Sequence, residues 1–169
     1  IGSSLLKGFK TKNISELTVN STGNVRINCV YTNCSDTKIN VNARGLVELT
    51  NGGIYGSVNA TQYVSLATNV EVDSIATLDK VYIANANAKL IHANKEVLLT
   101  AGAFGGYIYS NADVSLSASS ATHISAFGNV RMTLQSSVTK NVESAKYVYL
   151  LSSNVVGDIK AYDYVDLNG

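Results

Sequence analysis

A chain of 169 residues, 46% of them hydrophobic, is long enough for one domain with a substantial core and too apolar for intrinsic disorder. Its formal net charge of +1 offers no strong field to nucleic acid or an anionic membrane, and no run of eighteen apolar residues is present to span a bilayer. Proline and tryptophan are absent; a chain of strands without proline keeps every backbone N–H available to a ladder.

The first residues, Ile1, Leu5, Leu6 and Phe9, fall on one side of a short helix. That segment reads as an end cap over the first coil of the body, or as a weak membrane or partner contact. It lacks the continuous apolar core of a signal peptide. Residues 1–20 are therefore expected to form an N-terminal cap or lead-in, and residues 21–169 the main body.

From Val25 onward one pattern governs the chain. Nine short segments read apolar-x-apolar: Val25/Ile27, Val47/Leu49, Val64/Leu66, Val81/Ile83, Val97/Leu99, Val114/Leu116, Val130/Met132, Val148/Leu150 and Val165/Leu167. Their first members are 22, 17, 17, 16, 17, 16, 18 and 17 residues apart. A fixed period of this kind means stacked supersecondary units. Ten or eleven residues after each first Val stands a second apolar strand position, as at Val58, Ile75, Ile91, Ile108, Ile124 and Ile159, with Val142 one place later. A third apolar position falls between them at Ile54, Val70/Val72, Ala86, Val138 and Val155. Three extended segments per turn predict an all-β, single-domain parallel β-helix (β-solenoid), right-handed and triangular, of about nine coils. At roughly 3.3 Å per residue the perimeter is about 56 Å, and at roughly 4.8 Å per coil the rod is about 40 Å long. Helical repeats would need a period of 3.6, and a sandwich would not hold one phase across nine units. A left-handed hexapeptide coil would show a six-residue comb, whereas the spacing here is ten or eleven and then six.

The oversized first interval contains both cysteines, Cys29 and Cys34, in a loop placed at residues 28–38. The pair reads either as a disulfide stapling an extruded loop, which would imply an oxidising compartment, or as two ordinary thiols. Two thiols with no nearby His or third Cys cannot complete a tetrahedral metal site. Four glycosylation sequons begin at Asn13, Asn20, Asn33 and Asn59, a weak signal in a chain so rich in Asn, Ser and Thr.

Within the repeat, Thr50, Ala67, Ala84, Thr100, Ser117 and Thr133 form a column of narrow residues three places after each first Val. Asn51, Asn69 and Asn85 stand near the same corner, where Asn accepts left-handed geometry. Outward positions between the paired apolar residues are Arg26, Glu48, Ser65, Tyr82, Leu98, Ser115, Arg131, Tyr149 and Asp166. That mixed column excludes a flat ice-binding array. Tyr147, Tyr149, Tyr162 and Tyr164 crowd the last two coils and are the candidate contact surface; cross-coil stacking is their simpler explanation.

Chemistry is sparse. His92 and His123 are two coils apart, about 9.6 Å along the axis, and do not readily share a metal or a proton. Asp79, Glu96 and Asp113 recur about one coil apart, with Lys80 beside Asp79, but short loops leave no cleft around them. No nucleophile elbow, phosphate-binding Gly loop or metal set is present. The expectation is a protein that is not an enzyme, with no catalytic, cofactor or metal residues.

The segment from Val155 to Leu167, with Gly157-Asp158-Ile159 at its centre, resembles the winding motif of bactofilins, the polymer-forming bacterial cytoskeletal β-helices. Ile54 to Leu66 looks like a second copy, with Ser57 in place of Asp. Most other coils lack the Gly-Asp pair. The resemblance implies a self-associating cytoplasmic filament subunit with coils pairing end to end; Val165 and Leu167 at one end, and Leu5, Leu6 and Phe9 at the other, are the candidate interface. The Asn-, Ser-, Thr-, Ala- and Val-rich composition also resembles surface adhesin β-helices, which implies contact with a glycan or protein through the lateral surface. A disulfide would favour that second reading and a cell-surface or secreted location.

Overall fold

In the computed structural model, residues 4–7, 15–29, 34 and 37–168 are described, the first four as backbone only. The described chain is all strand and corner, with no α-helix, and winds into a parallel β-solenoid of about eight turns. Ten four-residue strands stack in sequence order as one sheet, from Ser4–Lys7 through Val25–Asn28 and Val47–Thr50 to Val165–Asn168. The second sheet runs from Glu16–Ser21 through Lys38–Ala43, Ile54–Ala60, Glu71–Thr77, Asn87–Ala93 and Phe104–Ser110 to Ser120–Ala126 and beyond.

The repeat sets the register directly. Val47 pairs with Val64, Val64 with Val81, and Val97 with Val114, so each apolar-x-apolar pair stacks on its copy in the next coil. The middle residue faces out and the flanking pair faces in, following the two-residue alternation of a strand. Leu49, Leu66, Ile83, Leu99 and Leu116 are fully buried, and Ile75, Ile91, Ile108 and Ile124 meet them from the second sheet. Each such side chain contributes about 1.5–3 kcal/mol relative to exposure. The narrow column stacks as expected, Thr50 on Ala67 and Ala84 on Thr100.

The expected third side is present in graded form. Glu16–Ser21 and Lys38–Ala43 are six residues long, and the next five strands of that sheet are seven. The extra residue is a bend: Glu71–Thr77 places Asp73 and Ser74 both outward, interrupting the alternation. In the last two coils the arc divides, Ser137–Val138 from Val142–Ser144 and Asn154–Val155 from Ile159–Ala161. The triangle thus sharpens along the axis.

The corner where the chain leaves the four-residue strand absorbs part of the variation in coil length, from three left-handed residues at Asn51–Gly53 to one at Ser152 in coils of equal length. Asn51, Asn69 and Asn85 adopt φ of 61°, 60° and 49° there, the left-handed geometry expected of Asn. Sixteen-residue coils turn on a single left-handed residue, Asn85 or Ala118. Their seventeen-residue neighbours turn on two, Thr68 with Asn69 or Ala101 with Gly102. Both kinds keep the ladder, since Asn69 N–H donates to the Asn85 carbonyl at 2.7 Å.

The N-terminal expectation needs correction. Ser4–Lys7 is a strand paired with Val25–Asn28, Leu5 opposite Arg26 and Leu6 opposite Ile27, where a short helix was expected. The physical reason is the open edge of Val25–Asn28, whose unpaired N–H and C=O groups a helix would leave unmatched. Glu16–Ser21 likewise already belongs to the second sheet. Ile1, Phe9, Asn13 and Asn33 lie outside the described residues.

Candidate binding surface

Where the second sheet ends, each coil turns back through a small residue: Ala43, Ala60, Thr77, Ala93, Ser110 and Ala126 stack in one column. Their hydroxyls are used internally. Ser110 Oγ donates to the Lys95 carbonyl at 2.7 Å and accepts from Ala112 N–H at 3.1 Å, so the column acts as a series of clamped corners. Because these residues are narrow, the surface sinks along them into a lengthwise furrow. Three depressions of about 400, 410 and 440 Å³ lie on it.

One wall is the last outward residue of each long strand, in order Asn42, Asn59, Ala76, His92, Tyr109 and Ser125. The other wall follows the corner and includes Thr61, Leu78, Asn94, Asn111 and Phe127, whose N–H groups donate to the coil before. Amides dominate one end. Asn59 Nδ2 donates to Asn42 Oδ1 at 2.8 Å, and Asn42 Nδ2 to Asn20 Oδ1 at 2.9 Å. Ala76 then interrupts the ladder and lines the central depression. Beyond it the wall is aromatic: His92 stacks on Tyr109 with ring centres 4.8 Å apart and planes 10° apart. His123 lies 6.1 Å from both Tyr107 and Tyr109, and Lys140 Nζ reaches the Tyr107 hydroxyl at 2.8 Å.

The two histidines are therefore bridged by Tyr109, an arrangement that axial spacing alone does not reveal. Tyr107 and Tyr109 escape a reading in chain order because neither histidine is near them along the chain. The signal was the repeat itself, which places Tyr109 opposite His92 and Tyr107 opposite His123 once coils are aligned on the second strand.

The C-terminal tyrosines are distributed over three surfaces. Tyr147 and Tyr164 stack at 5.2 Å on the corner before the four-residue strand. Tyr149 faces out from that strand under Arg131, whose guanidinium carbon is 5.4 Å from the ring centre. Tyr162, 86% exposed, belongs to the furrow's third depression with Phe127, Glu143 and Lys160. The corner at residues 161–164 separates them.

Cys29 and Cys34 are joined as a disulfide, with Cα atoms 6.1 Å apart. Cys29 Sγ lies 3.6 Å from the Tyr55 hydroxyl, and Tyr55 is the largest fully buried side chain among the described residues. Burial pushes the pKa of that hydroxyl well above its ordinary value. The disulfide thus roofs a coil whose inward position holds Tyr where later coils hold Val72 and Ala88.

Asp79, Glu96 and Asp113 each find a partner one coil away instead of forming a carboxylate row. Asp79 meets Lys95 at 2.9 Å, Glu96 meets Lys80 at 2.8 Å, and Asp113 accepts from Asn129 N–H at 2.8 Å. The hydrogen bond to Glu96 raises the Lys80 pKa. Asp73 sits between Lys38 at 2.5 Å and Lys89 at 2.7 Å, and those hydrogen bonds hold its carboxyl below the usual range. Tyr63, donating to Glu48 at 2.7 Å, has its pKa raised chiefly by that bond.

Both copies of the bactofilin-like segment contain a glycine with a local cause. Asn40 Oδ1 accepts from Ser57 N–H at 2.9 Å, and a Cβ on Gly56 would overlap that oxygen. Asn141 Oδ1 likewise accepts from Asp158 N–H at 3.1 Å, against Gly157. Asn24 with Gly45 and Asp113 with Gly128 repeat the device outside the resembling segments. The candidate terminal residues Val165 and Leu167 pair with Val148 and Leu150, and Leu167 is 64% exposed on the last described coil. Among the described residues no helix is long and apolar enough to cross a membrane, and no group of three or more His, Cys, Asp or Glu is placed to hold a metal. Comparison with known proteins finds no match to the chain among family models, curated proteins or solved structures.

Proposed function

We propose that this β-solenoid is a non-catalytic structural protein that engages a partner through its lateral surface, as an adhesin or fibre segment does. The observation that carries the proposal is the furrow, a lengthwise concavity walled by a stacked aromatic cluster in its middle coils. Aromatic side chains placed outside a core provide contact area with little loss of conformational entropy. The Cys29–Cys34 bond supports an oxidising, surface or secreted setting. The test is an array of purified glycans and proteins probed with labelled protein. At least one partner should bind, with about tenfold loss in Tyr109→Ala, Phe127→Ser or Tyr149→Ala and no loss in Leu167→Asp. Binding indifferent to all three lateral substitutions refutes the proposal.

A second reading, end-to-end assembly into filaments, is favoured by the apolar face of the last described coil, where Val165, Val156 and Leu167 are exposed. That face suits a further coil, whether supplied by the same chain or by a second copy. Sedimentation over a hundredfold concentration range separates the cases. Filaments abolished by Leu167→Asp support assembly; a monomer throughout refutes it.

A further inference from the structure

We infer that the central part of the furrow, between Asn59 and Tyr109, binds an uncharged oligosaccharide lying along the solenoid axis. This rests on the lateral-contact reading and specifies its ligand class.

Three observations select that occupant. The first is polarity: the depression is formed by amides, aromatic rings and small residues, with no Asp, Glu, Lys or Arg in its lining. An ionised ligand would lose its hydration there without gaining an opposite charge. The second concerns spare hydrogen-bonding capacity. Asn59 donates down its ladder to Asn42, which leaves its Oδ1 as an acceptor without a partner among the described residues. Asn111 donates to Asn94 Oδ1 at 2.6 Å, which leaves the Asn94 amide NH₂ as a donor in the same position. An acceptor and a donor therefore face the furrow two coils apart, about 9.6 Å along the axis, with the Ala76 gap between them. Hydroxyl groups, each both donor and acceptor, match that pair.

The third observation separates a sugar from a peptide. Strand addition requires unpaired backbone N–H and C=O groups. Here the wall and floor strands pair on both sides, Glu71–Thr77 with Ile54–Ala60 and with Asn87–Ala93. No backbone edge runs along the furrow for a peptide to extend. His92 instead stands beside the gap opposite Ala76, held there by stacking on Tyr109, and its ring suits the apolar C–H face of a sugar.

The experiment is calorimetric titration of the intact, oxidised chain, with ¹⁵N spectra of the Asn side-chain amides. The probes are β-1,4-linked hexamers of glucose and of N-acetylglucosamine, a hexamer of galacturonate, and a neutral Gly-Ser peptide. The expected result is binding of at least one neutral hexamer with shifts of the Asn59 and Asn94 amides. Tyr109→Ala should weaken it about tenfold and Asn94→Ala about fivefold, corresponding to one aromatic and one hydrogen-bonded contact. Tyr82→Ala, on the outward face of the other sheet, should leave it unchanged. Tighter binding of galacturonate or of the peptide overturns the inference, as does neutral-sugar binding insensitive to Tyr109. If an array partner depends on Tyr149 while no hexamer moves Asn59 or Asn94, the sugar assignment falls and the lateral-contact reading stands. If no lateral substitution affects any partner, both fall.

Discussion

Gly56→Ala should destabilise the fold through Asn40 alone, and a second substitution should abolish the effect. Gly56 has no left-handed φ, so alanine carries no backbone strain there. The nearest atoms to an added Cβ are all side-chain atoms: Asn40 Oδ1 and Cγ, and Lys38 Cε at 3.0 Å. Lys38 Cε lies near the flexible end of its chain and can give way. Asn40 Oδ1 cannot without leaving Ser57 N–H at 2.9 Å. Losing that bond and stranding a half-buried N–H costs about 2 kcal/mol, reduced by the few tenths to 1 kcal/mol that Gly→Ala contributes through the unfolded chain. The net expectation for Gly56→Ala is about 1–2 kcal/mol. In an Asn40→Ala background the obstacle is gone, and Gly56→Ala should be neutral or slightly stabilising.

Gly128 supplies the contrast. A Cβ there would meet Ala112 C at 2.5 Å and Asp113 N at 2.6 Å as well as the Asp113 carboxylate. Backbone held in the ladder cannot yield, so Asp113→Ala should fail to rescue Gly128→Ala. Urea unfolding followed by far-ultraviolet circular dichroism measures both double-mutant cycles, with unchanged m values as the condition for comparing them. A coupling energy below about 0.5 kcal/mol for Asn40 with Gly56, or full rescue at Gly128, refutes the explanation.

Three further outcomes are expected. Replacing Thr68, a β-branched residue held at φ 54°, by Asn should stabilise the protein by about 0.5–1 kcal/mol and raise Tm by about 1–4 °C in a thermal melt. Reduction of Cys29–Cys34 should cost about 2 kcal/mol by the loop-entropy estimate, read as a lower urea midpoint for the Cys29→Ser, Cys34→Ser double variant. Asp73 has its pKa lowered by Lys38 and Lys89, so its contribution is present above the unfolded value near 3.8 and disappears as pH falls through the lower folded value. An acid titration of stability should therefore lose a step below about pH 4 in Asp73→Asn, and high salt should shrink that step in the parent.

The stacking was legible because it depends on a period-two pattern repeated at a nearly constant interval, and both are properties of single residues in order. Val81, Val97 and Val114 need only be counted to be paired. The left-handed corners at Asn51, Asn69 and Asn85 were legible too, since Asn tolerates that geometry; the same geometry at Ala118, Leu134 and Ser152 carries no compositional mark. The N-terminal strand is not legible, because Leu5 and Leu6 fit a helical pattern as well as a strand and the open edge of Val25–Asn28 makes the choice. Pairs such as Asn40 with Gly56 were hidden for another reason. Their partners lie 15 to 21 residues apart, and either residue alone reads as an ordinary turn former.

That difference between chain order and column order also decides which aromatic cluster carries the functional reading. Tyr147, Tyr149, Tyr162 and Tyr164 are dense in sequence, yet the corner between the sheets sends them to three surfaces. His92, Tyr107, Tyr109 and His123 span thirty-two positions of the chain and converge on one. In a solenoid, neighbours on the surface are residues one coil apart, so a binding face is assembled by stacking and interrupted wherever one coil departs from its column. Ala76 is such a departure, a small residue between Asn59 and His92 in a wall of larger ones. The furrow is deepest in chemical contrast at that point, with amides on one side and stacked rings on the other. A substitution that restores the column, Ala76→Asn, should extend the amide ladder, leave the fold intact and close the gap to any ligand. Retained binding in that variant would place the contact elsewhere on the surface.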